Sequence, residues 1–430
     1  MADLSTLEQN LKIPRWTYEE FTKRLTKVRL CDIIIYHYED YSLVKEVDGL
    51  SKKLNFFTAL LRPIGYTVAK LKFKYSYEKA KNLPENYIVL SNHVTDFDPI
   101  FVGLSFKRQM YYVASEHITR WGWLYKVLNF VFEPIIRYKA TVAASTVMDI
   151  LRKVRKGKNV CIFAEGVRNW DGVTAPVVPA TAQLIKSARC GLVTYRIEGG
   201  YFASPNWASS GNTRRGKVHG APVGIYTKED LAKMSVAEID GIIKRDLHED
   251  AYARQAVERN RYPSKKRAEG LESLVFLCPH CRAHGTLTSH EDTVTCSACG
   301  ASFTYDEYGM LDGIAYKTVY ELNQWQRGEL AKDVEKGTSY TAPEASLFTI
   351  EGHELKAVCE GDAHITSDAI TIADVTIPLS TISDMGMHGR RTLIFSTTDN
   401  YYELKVPKGK NIIKFLYYRE FVKAKVEEKV

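Results

Sequence analysis

The stretch SNHVTDFDPIF, residues 91–101, contains residue types that acid–base chemistry uses. It places His93 five residues before Asp98, with Asp96 between them. A carboxylate beside a histidine fixes the imidazole tautomer and stabilises its protonated form, as a general base requires. A structural reading makes His93 a packing residue and Asp98 the N-cap of a helix that begins with Pro99. Either Asp96 or Asp98 could be this carboxylate, and Asp98 could cap the helix with one oxygen and hold His93 with the other.

A second stretch, CIFAEGVRNWDG at residues 161–172, ends an apolar run with Glu165 and Gly166, and Arg168 follows. A glycine at a strand exit lets a ligand approach the backbone, and arginine can bind phosphate through two parallel hydrogen bonds. The alternative is an ordinary Glu–Arg surface pair on a loop. A third apolar run, EPIIRYKA, also ends in a basic residue, Arg137.

Four of the eight cysteines form two Cys-x-x-Cys pairs separated by 14 residues. Clustered pairs in a chain with no visible secretory signal favour a metal over disulfides. Four thiolates on two such turns complete a tetrahedral zinc shell and leave no open position. We therefore predict a structural zinc ribbon over residues 271–310, with these ligands: Cys278, Cys281, Cys296 and Cys299.

These residues need elements to position them, and the pattern from residue 87 to 227 supplies β-rich runs alternating with helical ones. The predicted strands cover residues 87–91, 111–115, 134–137, 159–164 and 192–198. Apolar residues at helical spacing lie between the third and fourth strands, and Gly157 is placed to end that helix. Such alternation predicts an α/β domain with a mostly parallel sheet and flanking helices.

The remaining sequence predicts further parts on either side of this domain. We assign residues 1–75 to an N-terminal helical and interfacial segment, and residues 76–260 to the α/β domain, with a basic linker at 261–270. After the ribbon, residues 317–340 predict a helical connector. Residues 346–430 show short alternating strands and then one helix, an α+β pattern that resembles a pleckstrin-homology-like module.

Composition restricts the class of protein but does not identify it. With 430 residues, 45% hydrophobic and 26% charged, the chain can form several globular domains. The net charge of +8 favours an anionic surface or ligand without specifying one. No run reaches the ~18–20 apolar residues that a transmembrane helix needs. We expect a cytoplasmic protein, peripheral on the inner face of a membrane.

Two aromatic-rich segments are candidates for membrane contact. Residues 53–75 mix aromatic and aliphatic side chains and end with Lys70, Lys72 and Lys74, and residues 120–132 carry few charges. Either segment could lie in the headgroup region, with its basic residues against anionic lipids. The alternative for both is an amphipathic helix that packs on the protein core.

The order of the three blocks resembles the glycerolipid acyltransferase family, to which lysophosphatidate acyltransferases belong. Residues 53–230 carry the resemblance. The first block is His93 and Asp98 with Asn92 before them, the second is Arg137, and the third is the run Phe163, Glu165, Gly166 and Arg168. The family usually has proline and threonine where Ala164 and Val167 stand, and a proline where Thr194 stands in its fourth block. These departures leave open which acceptor and donor fit.

The resemblance implies an O-acyltransferase of phospholipid biosynthesis, a 1-acylglycerol-3-phosphate acyltransferase or a close relative. His93 would take the proton of an acceptor hydroxyl as it attacks an acyl thioester, with Asp98 orienting the imidazole. The spacing of the family's first block selects Asp98 over Asp96. Glu165, Gly166 and Arg168, with Arg137, would hold the phosphate of a lysophospholipid. The acyl donor would be acyl-CoA or acyl carrier protein.

Two non-enzymatic readings compete with this one. A zinc-ribbon protein that binds nucleic acid should carry basic, aromatic-interleaved sequence around its cysteines. The segment LTSHEDTVTCSACGASFTYDE is neutral to acidic instead, which disfavours a nucleic-acid partner. A lipid-binding adaptor with a degenerate acyltransferase domain would be expected to lose His93 or the Glu-Gly-x-Arg block, and both are present.

Overall fold

The structure is a computed structural model that describes residues 47–137, 144–209, 211–351 and 354–427. Residues 53–430 form one compact unit. The first described element is helix α1 (Val47–Phe73). The predictions for residues 1–46 fall outside the described part of the chain.

A seven-stranded sheet forms the scaffold of the α/β domain. The strands are β1 (Tyr75–Tyr77), β2 (Tyr87–Ser91), β3 (Met110–Ser115), β4 (Ile135–Arg137), β5 (Asn159–Phe163), β6 (Gly191–Glu198) and β7 (Val218–Tyr226). Their order in the sheet is β1-β7-β6-β2-β5-β3-β4, and β6, β2, β5, β3 and β4 run parallel. β7 is antiparallel to β6, which makes the sheet mixed but mostly parallel, as predicted.

Every residue of β2 is buried, as expected for a central strand that is covered on both faces. Gly157 follows the helix between β4 and β5 with a φ of +70°, so this glycine ends the helix as predicted. The helices of this domain are α2 (Asp98–Ser105), α3 (Trp123–Phe132), α4 (Ala144–Arg155), α5 (Thr181–Ala188), α6 (Gly200–Ala203), α7 (Lys228–Lys233), α8 (Val236–Leu247) and α9 (Ala251–Glu258). None of the described helices is long and apolar enough to cross a membrane.

A four-stranded antiparallel sheet follows; the first cysteine pair precedes it, and the second begins at the end of one of its strands. Its strands are β8 (Leu287–His290), β9 (Thr293–Cys296), β10 (Ser302–Tyr305) and β11 (Leu311–Asp312). The preceding segment 261–270, expected as a linker, has no helix or strand but packs into the core through Tyr262 and Ala268. Helix α10 (Val319–Glu335) comes next.

The C-terminal part is a second seven-stranded sheet, fully antiparallel, and one helix. The elements are β12 (Tyr340–Glu351), β13 (Glu354–Ile365), β14 (Ala369–Ile372), β15 (Val375–Pro378), β16 (Asp384–His388), β17 (Thr392–Ser396), β18 (Tyr401–Lys405) and α11 (Ile413–Glu427). The order of the strands is β15-β14-β13-β12-β18-β17-β16. The sheet starts at Tyr340, the last residue of the span predicted as helical.

One continuous hydrophobic core joins all of these parts. It includes Val89 of the first sheet, Val294 of the second, Leu322 of α10 and Leu404 of the third. Burial of apolar surface across these boundaries stabilises the parts against one another. The C-terminal elements are therefore packed against the α/β domain rather than tethered to it.

Candidate active site

The turn that carries His93 begins where β2 ends, at the carboxyl edge of the parallel strands. Asn92 is buried and anchors this end to β6. Its Nδ2 donates to the Ile197 carbonyl at 2.9 Å, and its Oδ1 accepts from the Ile197 N–H at 2.8 Å. A side-chain amide can satisfy a backbone donor and acceptor at once, so Asn92 fixes the point at which His93 leaves the sheet.

Asp98 is fully buried and accepts hydrogen bonds from four donors. Its Oδ2 lies 2.7 Å from His93 Nδ1 and 2.7 Å from the Val94 nitrogen. Thr95 donates to Oδ1 from its N–H at 3.0 Å and from its hydroxyl at 2.7 Å. A carboxylate is an acceptor, so it favours the His93 tautomer with its proton on Nδ1. Nε2 is then the nitrogen that can take a proton from a substrate.

The expectation that Asp98 caps α2 is wrong. The helix begins at Asp98 itself, Phe97 occupies the N-cap position, and no side chain caps the helix. The Asp98 carboxylate instead binds the backbone of Val94 and Thr95, which precede it. It therefore closes the turn that carries His93 and orients the imidazole at the same time.

Residues 165–173, which follow β5, hold the His93 backbone on both sides; we call them the 165–173 loop. Glu165 Oε1 accepts from the His93 N–H at 2.6 Å, and the Asn169 N–H donates to the His93 carbonyl at 2.8 Å. The imidazole itself stacks on Phe163, with ring centroids 4.4 Å apart. The adjacent ends of β2 and β5 thus fix the position of His93 together.

Glu165 is buried, and its second oxygen accepts from the Ala175 N–H at 2.7 Å. Burial raises the pKa of Glu165 to about 8, while the N–H donors of His93 and Ala175 act in the opposite direction. Both oxygens of this carboxyl are engaged with the protein backbone. The geometry gives Glu165 a role in positioning the His93 turn.

Arg137 and Gly166 meet at the same edge of the sheet. Gly166 has a φ of +69°, and a Cβ added there would lie 3.1 Å from Arg137 Nη1. The missing side chain lets the guanidinium approach the loop backbone closely. The second and third blocks of the sequence are therefore in contact, and Arg137 brings a positive charge beside the 165–173 loop.

Arg168 fastens the 165–173 loop to the His93 turn. Its guanidinium pairs with Asp96 at 2.9 Å and donates to the carbonyls of Val94, at 3.3 Å, and Ser204, at 3.0 Å. Asp96 is 77% exposed and Arg168 17% exposed. Asp96, the carboxylate nearer to His93 in sequence, is thus the partner of Arg168, whereas Asp98 is the partner of His93.

The four predicted zinc ligands come together between the second sheet and its preceding turn. All four Sγ atoms lie within 4.8 Å of one another. The Cys278–Cys299 and Cys281–Cys296 sulfur pairs are each 3.8 Å apart, far longer than the ~2.05 Å of a disulfide. Zinc–sulfur bonds of ~2.3 Å at tetrahedral angles place sulfurs at about this separation. The donor set therefore fits a zinc ion.

Two helices expose apolar faces at the surface of the α/β domain. On α1 the exposed side chains recur at helical spacing, and α3 together with Trp121, two residues before it, exposes a second group. Phe57 and Phe130 contact each other edge to face, which joins the two helices. The exposed residues are Leu60, Ile64, Val68, Leu71, Trp121, Trp123, Leu124, Val127 and Phe130.

A basic cleft of about 540 Å³ lies at the C-terminal end of α1. It is lined by aromatic rings and by four cations, Lys70, Lys74, Lys79 and Arg215. A positive surface beside an apolar helix face is suited to an anionic interface.

Sequence reasoning did not single out Asn169, Asp171 or Asn323. Asp171 Oδ2 lies 2.8 Å from Asn323 Nδ2, so the 165–173 loop is hydrogen-bonded to α10. Asn169, Asp171 and Gly172, which follow Arg168, are residue types that favour loops, and they indicate that the loop continues beyond the Glu-Gly-x-Arg block. No local pattern could pair Asp171 with a residue 152 positions away.

Comparisons with known proteins bear on the α/β domain. Residues 74–198 match the family model Acyltransferase. A search of curated protein sequences found no match.

Two solved structures are similar to parts of the chain. The 1-acyl-sn-glycerophosphate (LPA) acyltransferase PlsC from Thermotoga maritima is 17% identical, with a TM-score of 0.36 over 46% of this chain and 77% of that one. The N-terminal PH domain of the human ARAP2 protein is 13% identical, with a TM-score of 0.16 over 21% of this chain and 81% of that one. Both TM-scores lie below 0.5, so neither likeness shows a shared fold.

The matched segment runs from the start of β1 to the end of β6, and it contains His93, Asp98, Arg137, Glu165 and Arg168. The part of the chain that holds these residues is therefore an acyltransferase-type α/β domain.

Proposed function

We propose that this protein is a membrane-associated O-acyltransferase that moves an acyl chain from a thioester to the hydroxyl of a lysophospholipid such as lysophosphatidic acid. The observation that carries the proposal is the 2.7 Å contact between His93 Nδ1 and the buried Asp98 within the family-matched segment. A base oriented in this way suits hydroxyl activation.

His93 Nε2 takes the proton of the acceptor hydroxyl as its oxygen attacks the thioester carbonyl. The new C–O bond forms, the C–S bond breaks, and the proton passes from the imidazolium to the departing thiolate. Asp98 stabilises the imidazolium in between. The acceptor itself is the nucleophile, so no covalent acyl-enzyme is needed.

The contacts divide the motif residues into two groups. Arg137, beside Gly166, is the cation that we assign to the acceptor phosphate, since arginine matches phosphate geometry. Glu165 and Arg168 bind mainly backbone groups of the His93 turn, which supports a positioning role for both. Gly166 leaves space for the phosphate to approach the loop backbone.

The exposed faces of α1 and α3, with the basic cleft, support attachment to an anionic membrane surface. Aromatic and aliphatic side chains would enter the headgroup region, and the cations would contact lipid phosphates. A lysophospholipid acceptor would then reach the site from the bilayer, on the cytoplasmic side.

The four cysteines would hold a structural zinc ion. A closed four-sulfur shell offers no position for substrate, so the ion would stabilise the fold of the second sheet and take no part in acyl transfer.

The test is incubation with acyl-CoA or acyl carrier protein and a panel of lysophospholipids and glycerol 3-phosphate. Product is measured by mass spectrometry for the wild type, His93→Ala and a matched control, His364→Ala, which changes an exposed histidine on β13. Loss of a positioned general base should lower kcat about 10²–10⁴-fold in His93→Ala and leave the control unchanged. A fully active His93→Ala protein would overturn the mechanism.

A further inference from the structure

The 165–173 loop is tied to the C-terminal half of the molecule through a buried chain of side-chain amides. Asn323 and Gln326 lie one helical turn apart on α10 and are 2% and 0% exposed. Asn323 Nδ2 donates to Asp171 at 2.8 Å, and Asn323 Oδ1 accepts from Gln326 Nε2 at 2.8 Å. The 165–173 loop is thus hydrogen-bonded to α10 through Asp171.

The orientation of the Asn323 amide is determined by its neighbours. Gln326 Oε1 accepts from the Phe276 N–H at 3.0 Å, so its Nε2 faces the Leu274 carbonyl, at 3.0 Å, and Asn323 Oδ1. The Asn323 Nδ2 group must therefore face Asp171, a carboxylate that only accepts. A buried amide network in which each polar group is paired holds one geometry.

The network starts beside the zinc-ligand cluster. Phe276 lies two residues before Cys278, and its carbonyl accepts from the Gly285 N–H at 2.9 Å. Arg282, next to Cys281, pairs with Glu329 of α10 at 2.9 Å. The turn that carries the first cysteine pair is therefore fixed to α10.

The other end of the network lies in the loop that holds the His93 backbone. Asp171 is two residues from Asn169, whose N–H holds the His93 carbonyl, and the loop also provides Glu165, which holds the His93 N–H. Asp171 and the two residues that hold the His93 backbone therefore belong to one loop, so a displacement of Asp171 is expected to disturb these contacts. Errors of about 1 Å in the placement of a base can reduce turnover about a hundredfold.

We infer that Asn323 is a positioning residue for acyl transfer, through which the C-terminal half fixes the 165–173 loop and the His93 backbone. This inference rests on the proposed function for its catalytic consequence, and its structural part can be tested without activity. It gives the ribbon and α10 a role in the active site although neither provides a reacting group.

The test uses the full-length protein and an exchange of the pair. Asn323→Asp places a second carboxylate beside that of Asp171, and loss of the hydrogen bond should free the 165–173 loop from α10. Asp171→Asn with Asn323→Asp restores one donor and one acceptor. Asn323→Asp should lower kcat by ten- to a hundredfold at unchanged KM, and the double variant should return to within about threefold of the wild type. Asp171→Ala, which removes the partner from the loop side, should match Asn323→Asp.

Hydrogen–deuterium exchange provides the readout that does not depend on turnover. Exchange in the 165–173 loop and at residues 92–95 should increase in Asn323→Asp and Asp171→Ala and return to the wild-type rate in the double variant. Exchange in β13, which provides none of these contacts, is the control. Unchanged loop exchange in both single variants would overturn the inference. If loop exchange increases in the single variants but the wild type transfers no acyl group, the proposed function is overturned and the structural part of the inference stands.

Discussion

Replacing Asp98 by asparagine tests the site most directly, because the side chain keeps its shape and loses one acceptor oxygen. In the wild type the carboxylate accepts from four donors, and the Thr95 N–H lies 3.0 Å from both oxygens. An amide oxygen can keep the two Thr95 donors, while its NH₂ group faces the Val94 N–H and His93 Nδ1. The substitution therefore leaves one backbone donor unpaired and reverses the polarity of the contact with the imidazole.

The magnitudes follow from these contacts. An unpaired buried N–H costs about 1–3 kcal/mol, so the free energy of unfolding should fall by that amount and the protein should remain folded. The effect on turnover should be larger, because His93 loses its tautomer and the partner of its imidazolium. The corresponding change in a catalytic triad lowers kcat about 10⁴-fold, and we expect a loss of about 10³–10⁴-fold here.

Asp96→Asn is the matched control, since it makes the same chemical change two residues away. The Asp96–Arg168 pair is mostly exposed on the aspartate side, and Arg168 keeps its two carbonyl acceptors. Such a pair contributes about 0.2–1 kcal/mol, so turnover should fall less than about tenfold. The assay is single-turnover formation of the acylated product, with urea unfolding of each variant. An Asp98→Asn protein that keeps more than a tenth of wild-type kcat would refute the assignment, as would equal losses in both variants.

Three further predictions concern pH, membrane and metal. The pKa of Glu165, about 8 in the fold, exceeds its ordinary value of 4.5. The native state thus holds a proton that the unfolded state releases, and stability falls as pH rises from 4.5 through 8. Glu165→Gln cannot ionise and should lose less stability between pH 6 and 9 in urea unfolding; parallel curves would contradict this. Val127→Glu, in the exposed face of α3, should reduce flotation with anionic vesicles several-fold, and Val257→Glu, which is 85% exposed on α9, should not. Cys299→Ser should lower bound zinc from one ion per chain to near zero by elemental analysis; full retention would contradict a four-sulfur site.

Local sequence patterns predicted those parts of the fold that depend on the residues of one short segment. The run at residues 87–91 is apolar throughout because β2 is covered on both faces, and the glycine after α4 has the left-handed conformation that ends a helix. The cysteine spacing predicted the meeting of four sulfurs because each pair lies on its own short turn. In each case the signal and its structural cause lie within a few residues.

The features that the sequence did not reveal depend on contacts between distant segments. Asp98 was expected to cap α2, since aspartate before proline is a common helix start, yet the turn at Val94 and Thr95 binds its carboxylate more completely. Residues 261–270 are basic and were expected to link domains, but Tyr262 is buried, with its ring against Phe202 and its hydroxyl donating to the Lys217 carbonyl. The composition of a segment indicates which structure it favours by itself, but it does not indicate which other segments pack against it.

The contacts of Glu165 change what the Glu-Gly-x-Arg block means in this protein. Both Glu165 oxygens are engaged by backbone N–H groups, those of His93 and Ala175, so the carboxyl is bound to the protein itself. Arg168 likewise binds carbonyls of the His93 turn and of the residues after α6. Glu165 accepts hydrogen bonds from the His93 turn, and Arg168 donates to it. The block therefore holds the end of β5 against the end of β2. Arg137 is then the motif cation that best suits substrate phosphate, and its loss should raise KM for the acceptor, whereas loss of Glu165 or Arg168 should lower kcat.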